Sequence, residues 1–75
     1  MNKQRRKEIQ NAIKLLDGVK EQLENILSDE SDYFDNMPEN LQGSSRGEES
    51  ENAIDVMQDV IDELDNCISN LTEII

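Results

Sequence analysis

Apolar residues recur at heptad spacing along the first half of the chain. When Ile9 is taken as position a, eight of the nine a and d positions from Ile9 to Met37 are apolar, and Glu30 is the exception. Position e adds three more apolar residues, Ile13, Leu27 and Phe34. This stripe is typical of an amphipathic helix and is wider than the seam of a two-stranded coiled coil. It predicts a helix over about residues 3–35.

A second segment with apolar periodicity fills the last third of the chain. Its a and d positions are Ala53, Met57, Val60, Leu64, Cys67, Leu71 and Ile74. Position e holds isoleucine in four successive heptads, and we call these residues the isoleucine ladder: Ile54, Ile61, Ile68 and Ile75. The spacing predicts a second helix over about residues 46–75.

Residues 36–45 connect the two predicted helices and contain the only proline of the chain. Pro38 disfavours helical backbone at the residue before it, so the first helix should end there. Residues 36–39 (Asn-Met-Pro-Glu) form one capping pattern, and Ser45 with Glu48 forms a second pattern with Ser45 as the N-cap. Gly43 is expected to end a short helical turn in the left-handed region. The connection is therefore predicted to be a structured turn.

The two predicted helices have similar lengths, about 50 and 45 Å at 1.5 Å per residue. Because the connection is short, we predict an all-α fold with a single domain over residues 1–75, an antiparallel two-helix hairpin. In one hairpin the isoleucine ladder is expected to face water, which soluble monomers rarely tolerate. A homodimer that forms a four-helix bundle would bury this surface, and a complex with another protein is the alternative. The expected dimer core consists of Leu16, Leu23, Ile54, Ile61, Leu64 and Ile68.

The composition limits how a chain of this size is stabilised. Below about 80 residues a single core rarely suffices without a disulfide, a metal or self-association. Cys67 is the only cysteine, so a disulfide within the chain is excluded, and its simplest role is a small buried apolar side chain. The chain has no histidine, and we expect no zinc site and no cofactor. The lone thiol and the lack of a membrane-length apolar run favour a cytoplasmic location.

The formal net charge of −11 is spread unevenly along the chain. Residues 1–25 have a net charge of +2, whereas residues 26–75 have a net charge of −13. An acidic field of this size repels nucleic acid and membrane surfaces, so we expect direct binding to neither. It attracts basic protein surfaces, including those that hold DNA.

The sequence contains no recognisable catalytic pattern. It has no histidine, no glycine-rich phosphate loop, and no serine or cysteine beside a suitable base, so we expect no enzyme activity. Four acids near the turn invite a calcium interpretation: Asp29, Glu30, Asp32 and Asp35. The ligand spacing of an EF-hand loop fails, however, because Tyr33 occupies the fifth position. A solvated acidic face is the simpler interpretation, and weak divalent binding is the alternative.

Two groups of residues are candidates for contact with a partner or ligand. The first surrounds the turn and comprises Tyr33, Asp35, Asn36, Pro38, Glu39, Gln42, Ser45 and Arg46. The second lies at spacings of three and four on the second helix and comprises Asp55, Asp59 and Asp62.

Each group also has an ordinary structural explanation. Tyr33, beside Phe34, is expected to close the end of the bundle core or, alternatively, to line a recognition surface. Arg46 is the only cation in residues 26–75, and it either pairs with a nearby acid or holds an anionic group. The second group either keeps the bundle in solution or imitates the phosphates of DNA, which are comparably dense.

Three segments of the chain follow a pattern seen in a known group of proteins. They are Met1-Asn2-Lys3-Gln4-Arg5-Arg6-Lys7-Glu8-Ile9, then Asp35-Asn36-Met37-Pro38-Glu39 with Leu41-Gln42 and Ser45-Arg46-Gly47-Glu48, and finally Ala53-Ile54-Asp55. In these segments the chain resembles small, mostly uncharacterised helical proteins of phages and prophages of low-GC Gram-positive bacteria. The resemblance implies an intracellular protein encoded by a virus or mobile element, without a specific activity. Small acidic phage proteins often bind host factors, as anti-CRISPR and anti-restriction inhibitors do.

Three functions remain open on these observations. The first is a non-enzymatic phage-type binding protein that engages or inhibits a host defence or nucleic-acid-handling protein through its acidic surface or turn. The second is a sponge that binds an anionic metabolite or nucleotide at the turn. The third is a purely structural or regulatory four-helix bundle.

Overall fold

The computed structural model describes all residues 1–75 and contains three helices and no strand. Helix α1 spans Lys3–Asp35, the single-turn α2 spans Glu39–Gln42, and α3 spans Ser45–Glu73. The predicted all-helical class is confirmed. The molecule is extended, with dimensions of 58 × 15 × 13 Å. None of its helices combines the length and the apolar composition needed to cross a membrane.

Helices α1 and α3 pack against each other, and we call their contact the seam. A helix of 33 residues is about 50 Å long at 1.5 Å per residue, so a molecule 58 Å long accommodates α1 and α3 only side by side. On α1 most shielded side chains occupy positions a and e: Ile9, Ile13, Leu16, Lys20, Leu23, Leu27, Glu30 and Phe34. On α3 most occupy the same two positions: Ile54, Met57, Ile61, Leu64, Ile68 and Leu71.

The expectation that the isoleucine ladder faces water is wrong for three of its four residues, and Ile75 alone is exposed, at 37%. Ile61 is only 5% exposed, and Ile54 and Ile68 are half-buried in the seam. The physical reason is that a stripe covering positions a, d and e is wider than one seam, so either of its edges can turn inward. Here the edge formed by a and e turns inward on both helices. The six residues expected in the dimer core therefore all lie in the seam within one chain.

The outer edge of the stripe, position d, remains largely open to solvent, although Ala53 and Val60 on α3 are half-buried. On α1 this edge includes Val19, Ile26 and Tyr33, and the last two are 45% and 48% exposed. On α3 it includes Cys67 and Ile74, both exposed. The seam thus buries only part of the apolar stripe of each helix.

The total accessible surface shows the same incomplete burial. The chain exposes 5637 Å², whereas a compact monomer of 8.6 kDa exposes about 4,700 Å². The excess is roughly 900 Å² on this scaling. A single chain of this shape leaves a face uncovered.

Both capping patterns predicted at the turn are wrong in detail. Helix α3 begins at Ser45, and Ser44 is its N-cap without a side-chain hydrogen bond to the helix. The Ser44 hydroxyl instead donates to the backbone carbonyl of Leu41. The box of Ser45 with Glu48 therefore does not form, because the preceding residue occupies the cap position.

The short helix α2 also departs from the predicted geometry. Its N-cap is Pro38, which has no side-chain capping group, so Asn36 does not cap it. Gly43 follows α2 with a φ of −86°, in the right-handed region, and the expected left-handed ending is wrong. At the other end of the molecule, Asn2 caps α1 by accepting a 2.8 Å hydrogen bond from the backbone N–H of Arg5.

Candidate functional site

The side chain of Gln42 holds the turn against the end of α1. Its Nε2 donates to the backbone carbonyls of Phe34 and Met37, at 3.2 and 3.1 Å. Carbonyls in the last turn of a helix lack partners within the helix, so this amide satisfies them. Gln42 was predicted as a contact residue for a partner. The structure places it half-buried and already engaged in the fold.

Gly47 allows α2 to lie directly on the first turn of α3. It is buried, and a Cβ at this position would collide with the backbone of Gln42. This close approach explains why a residue with poor helix propensity occupies the start of α3. Sequence reasoning missed this role. The available indication was a glycine just inside a helix that otherwise has good helix formers.

One face of the turn forms an open, largely apolar groove of about 360 Å³. Six residues line it: Tyr33, Asn36, Met37, Pro38, Leu41 and Arg46. Four of the predicted contact residues are thus brought together. Tyr33 is half exposed in this groove, whereas its neighbour Phe34 is turned toward the seam. The aromatic pair is therefore split between surface and core.

Arg46 has no partner in this structure. No carboxylate lies within 4 Å of its guanidinium, so the alternative in which it pairs with a local acid is not realised. Its side chain is exposed at the rim of the apolar groove. The groove therefore combines apolar walls with one uncompensated positive charge.

A second open groove, of about 520 Å³, lies between α1 and α3 near the turn. Its walls are Ser31, Phe34, Asp35, Glu51, Ile54 and Asp55. Two predicted contact residues, Asp35 and Asp55, meet here, and Glu51 adds a third carboxylate. No group of three or more acidic residues has the arrangement needed to hold a metal ion. The groove presents negative charge without a counter-ion.

The remaining predicted residues lie separately on the surface. Asp59 and Asp62 are exposed on α3, and Asp62 accepts a long 3.5 Å hydrogen bond from the Gln58 amide. Glu39 and Ser45 are exposed at the first positions of α2 and α3, and they line neither groove.

Only two of the eighteen acidic residues form an ion pair, and both pair with the same lysine. Lys20 Nζ lies 2.6 Å from Asp65 and 3.8 Å from Glu24. The hydrogen bond that the Lys20 ammonium donates to the Asp65 carboxylate is the main cause of the raised pKa of Lys20, and burial of the lysine opposes this shift. The acids near the turn, including the three in the acidic groove, form no ion pair.

Ser50 is a further residue that sequence reasoning missed. It lies on α3 and is only 3% exposed, and its hydroxyl has no hydrogen-bond partner. Buried polar groups normally have a partner, so this hydroxyl is an uncompensated cost to the fold. The hydroxyl lines neither groove, and it is therefore not assigned to a binding site.

Comparison with known proteins adds no family to these observations. No protein-family model matches the chain, and no curated protein or solved structure matches it either. The function is therefore inferred from the grooves and the charges alone.

Proposed function

We propose that the chain is a non-enzymatic, phage-type binding protein that engages a basic surface of a host defence or nucleic-acid-handling protein. One observation carries the proposal: sixteen of the eighteen acidic side chains have no ion-pair partner in the chain. Charges that are not compensated internally are available to attract a partner of opposite sign and to raise its association rate.

The scaffold of this binding protein is an antiparallel helical hairpin. Lys20 of α1 and Asp65 of α3 are in contact although 45 residues separate them in the chain. Phe34, near the end of α1, shares a groove with Glu51, near the start of α3. Together these contacts support opposite helix directions. Two such hairpins would form a four-helix homodimer, and the unburied surface of a single chain supports this pairing.

The acidic surface has the charge density of a nucleic-acid strand. Residues 48–65 of α3 contain eight acids and no cation. At 1.5 Å per residue this is about one charge per 3 Å, close to the ~3.4 Å of one DNA strand and half as dense as the duplex. A rigid helix with this spacing suits a basic groove that evolved to hold DNA. The predicted contacts Asp55, Asp59 and Asp62 lie in this segment.

The proposal is tested by affinity capture from a host lysate at two salt concentrations. A nucleic-acid-handling protein with a basic surface should be recovered at low salt and released at high salt, because exposed charge pairs are screened. The triple variant Asp55→Asn/Asp59→Asn/Asp62→Asn should lose that protein by at least about tenfold, equivalent to about 1.4 kcal/mol of binding free energy.

The matched control removes three acids from α1. Glu8→Gln/Asp17→Asn/Glu21→Gln changes the net charge by the same amount but leaves α3 intact, so it should retain the partner. Equal loss in both variants would refute a site on α3 and leave only a nonspecific charge effect. Recovery of no partner at any salt concentration would favour the purely structural bundle.

A second function is supported by the groove at the turn, where Arg46 lacks a carboxylate partner beside Tyr33 and Leu41. This site suits a small anionic ligand with an apolar or aromatic part, such as a nucleotide. A thermal-shift screen of nucleotides tests it. Arg46→Ala should abolish a detected shift, whereas Lys14→Ala, which removes a charge from the middle of α1, should preserve it. A shift that survives Arg46→Ala would rule out this site.

A further inference from the structure

The hairpin has two unlike long sides. Successive residues of an α-helix are rotated by 100°, so the d positions of α1 lie about a quarter turn away from the seam. The d positions of α3 are displaced from the seam in the same rotational sense. The two helices run in opposite directions. The same rotational displacement from the seam therefore places the d positions of both helices on the same side of the hairpin. We call this side the open face, and its exposed residues are Val19, Ile26, Tyr33, Cys67 and Ile74, beside the half-buried Val60.

The opposite side of the hairpin is polar. It contains the acidic groove with Asp35, Glu51 and Asp55, and also the ion pair of Lys20 with Asp65. The apolar surface that the seam leaves exposed therefore lies on one side of the hairpin. A partner that buries this surface must approach the open face.

Charge is also segregated along the length of the hairpin. At the open end, residues 1–9 and 67–75 have a combined net charge of +2. At the turn end, residues 28–56 have a net charge of −8. The two ends lie tens of ångströms apart in a molecule 58 Å long. The Debye length at physiological salt is only about 8 Å, so each end interacts with what lies directly beside it.

We propose that a second copy of the chain packs antiparallel on the open face, with the turn end of each copy beside the open end of the other. The inference rests on the proposed hairpin dimer and adds the buried face and the orientation. A parallel arrangement would place two ends of net charge −8 side by side, whereas the antiparallel arrangement places each beside a basic end.

The available area fits a second copy. The excess surface of one chain, roughly 900 Å² by the scaling for compact monomers, is close to the ~800 Å² that each partner buries in an ordinary stable interface. The d positions also continue the heptads of the seam, as the core of a four-helix bundle requires. Cys67, exposed in a single chain, would be covered by the second copy.

Distances between spin labels on the two copies test the orientation. In a Cys67→Ser background, one label is placed at Glu39→Cys, exposed at the turn end. The two Glu39 positions should lie roughly 50 Å apart in the antiparallel dimer, and roughly 20 Å or less apart in a parallel one, from the helix rise and diameter. A control label at Asp17→Cys lies near the middle of the long axis on the polar side, which faces away from the second copy. The two control labels should therefore be separated by about the thickness of the dimer, an intermediate distance of roughly 20–30 Å, in either orientation.

The two labels separate failure of the orientation from failure of the dimer. A long Glu39 distance with the intermediate Asp17 distance supports the antiparallel pairing. A short Glu39 distance with the same intermediate Asp17 distance overturns it and keeps the dimer. No distance at either position, together with a monomer mass, overturns both. As a second readout, the unmodified Cys67 thiol should react at least tenfold more slowly with a thiol reagent in concentrated than in dilute protein. An unchanged rate would contradict burial of the open face.

Discussion

Replacing Ile61 with alanine is the strongest single test of the seam. Ile61 is 5% exposed and is the most buried large apolar side chain of the chain. The substitution removes three carbon groups, each of which contributes about 0.8 kcal/mol when buried. The cavity left between the helices adds to this loss, so we expect the free energy of unfolding to fall by about 3 kcal/mol.

The expected loss is large for a small domain. For a chain of this size 1 kcal/mol corresponds to a change in Tm of about 4–8 °C, so Ile61→Ala should lower Tm by about 12–24 °C. Urea unfolding followed by circular dichroism at 222 nm measures the free energy directly. The midpoint should fall without a change in the slope, because the substitution changes stability and leaves the surface exposed on unfolding nearly the same.

The matched control is Leu15→Ala, which shortens an apolar side chain that is 74% exposed on α1. It should change the free energy of unfolding by no more than about 0.5 kcal/mol, as is usual for surface positions. If Ile61→Ala costs less than about 1 kcal/mol, or no more than Leu15→Ala, the isoleucine ladder does not lie in the seam. Helix α3 would then present a different face to α1.

Three further substitutions test the turn, the buried hydroxyl and the ion pair. Gly47→Ala should lower the free energy of unfolding, measured by urea denaturation, by more than about 1 kcal/mol, because its methyl group meets the backbone of α2; Gly43→Ala, which has open space around it, should be neutral or stabilising by up to about 1 kcal/mol. Ser50→Ala should stabilise the fold by about 1 kcal/mol, since it removes a hydroxyl without a partner, and a loss of stability would show that the hydroxyl is satisfied. Because the pKa of Lys20 is raised, its stabilising contact with Asp65 is complete below the ordinary lysine pKa of about 10.4 and is lost as pH rises through the folded value. The stability difference between the wild type and Lys20→Met should therefore shrink above that pH, and a constant difference would contradict the contact.

The helices follow from local periodicity, but the choice of seam does not. The predicted helix over residues 3–35 coincides with α1, and α3 begins one residue before and ends two residues before the predicted bounds. A stripe of three heptad positions fits two different rotations of each helix, and periodicity is equally compatible with both. The observed rotation places Lys20 at the seam, where its stem packs and its ammonium reaches Asp65.

The turn shows the limit of local capping patterns. The patterns at residues 36–39 and at Ser45 describe contacts between near neighbours in the sequence. The observed turn instead uses the Gln42 amide, which reaches back eight residues to Phe34, and the close approach of the backbone at Gly47. Both contacts depend on how α2 lies against the long helices, which only the three-dimensional arrangement determines.

The candidate surfaces were predictable in charge but not in shape. The acidity of residues 26–75 is evident from composition, and the exposed positions of Asp59 and Asp62 follow from helical spacing. The two grooves could not be predicted from the sequence, because each groove combines residues from different helices. The meeting of Glu51 with Asp35 was not predictable for this reason, because it depends on the approach of α1 to α3.

Sedimentation equilibrium of the unmodified chain tests most directly the central claim that a single hairpin leaves an apolar face that a second copy covers. At micromolar concentrations and physiological salt, the mass should be twice the 8.6 kDa of one chain and should fall toward 8.6 kDa on dilution. Ile26→Asp, which adds a charge to the open face, should shift the equilibrium to the monomer while the helical circular dichroism signal remains. A mass of 8.6 kDa that does not change with concentration would contradict the claim.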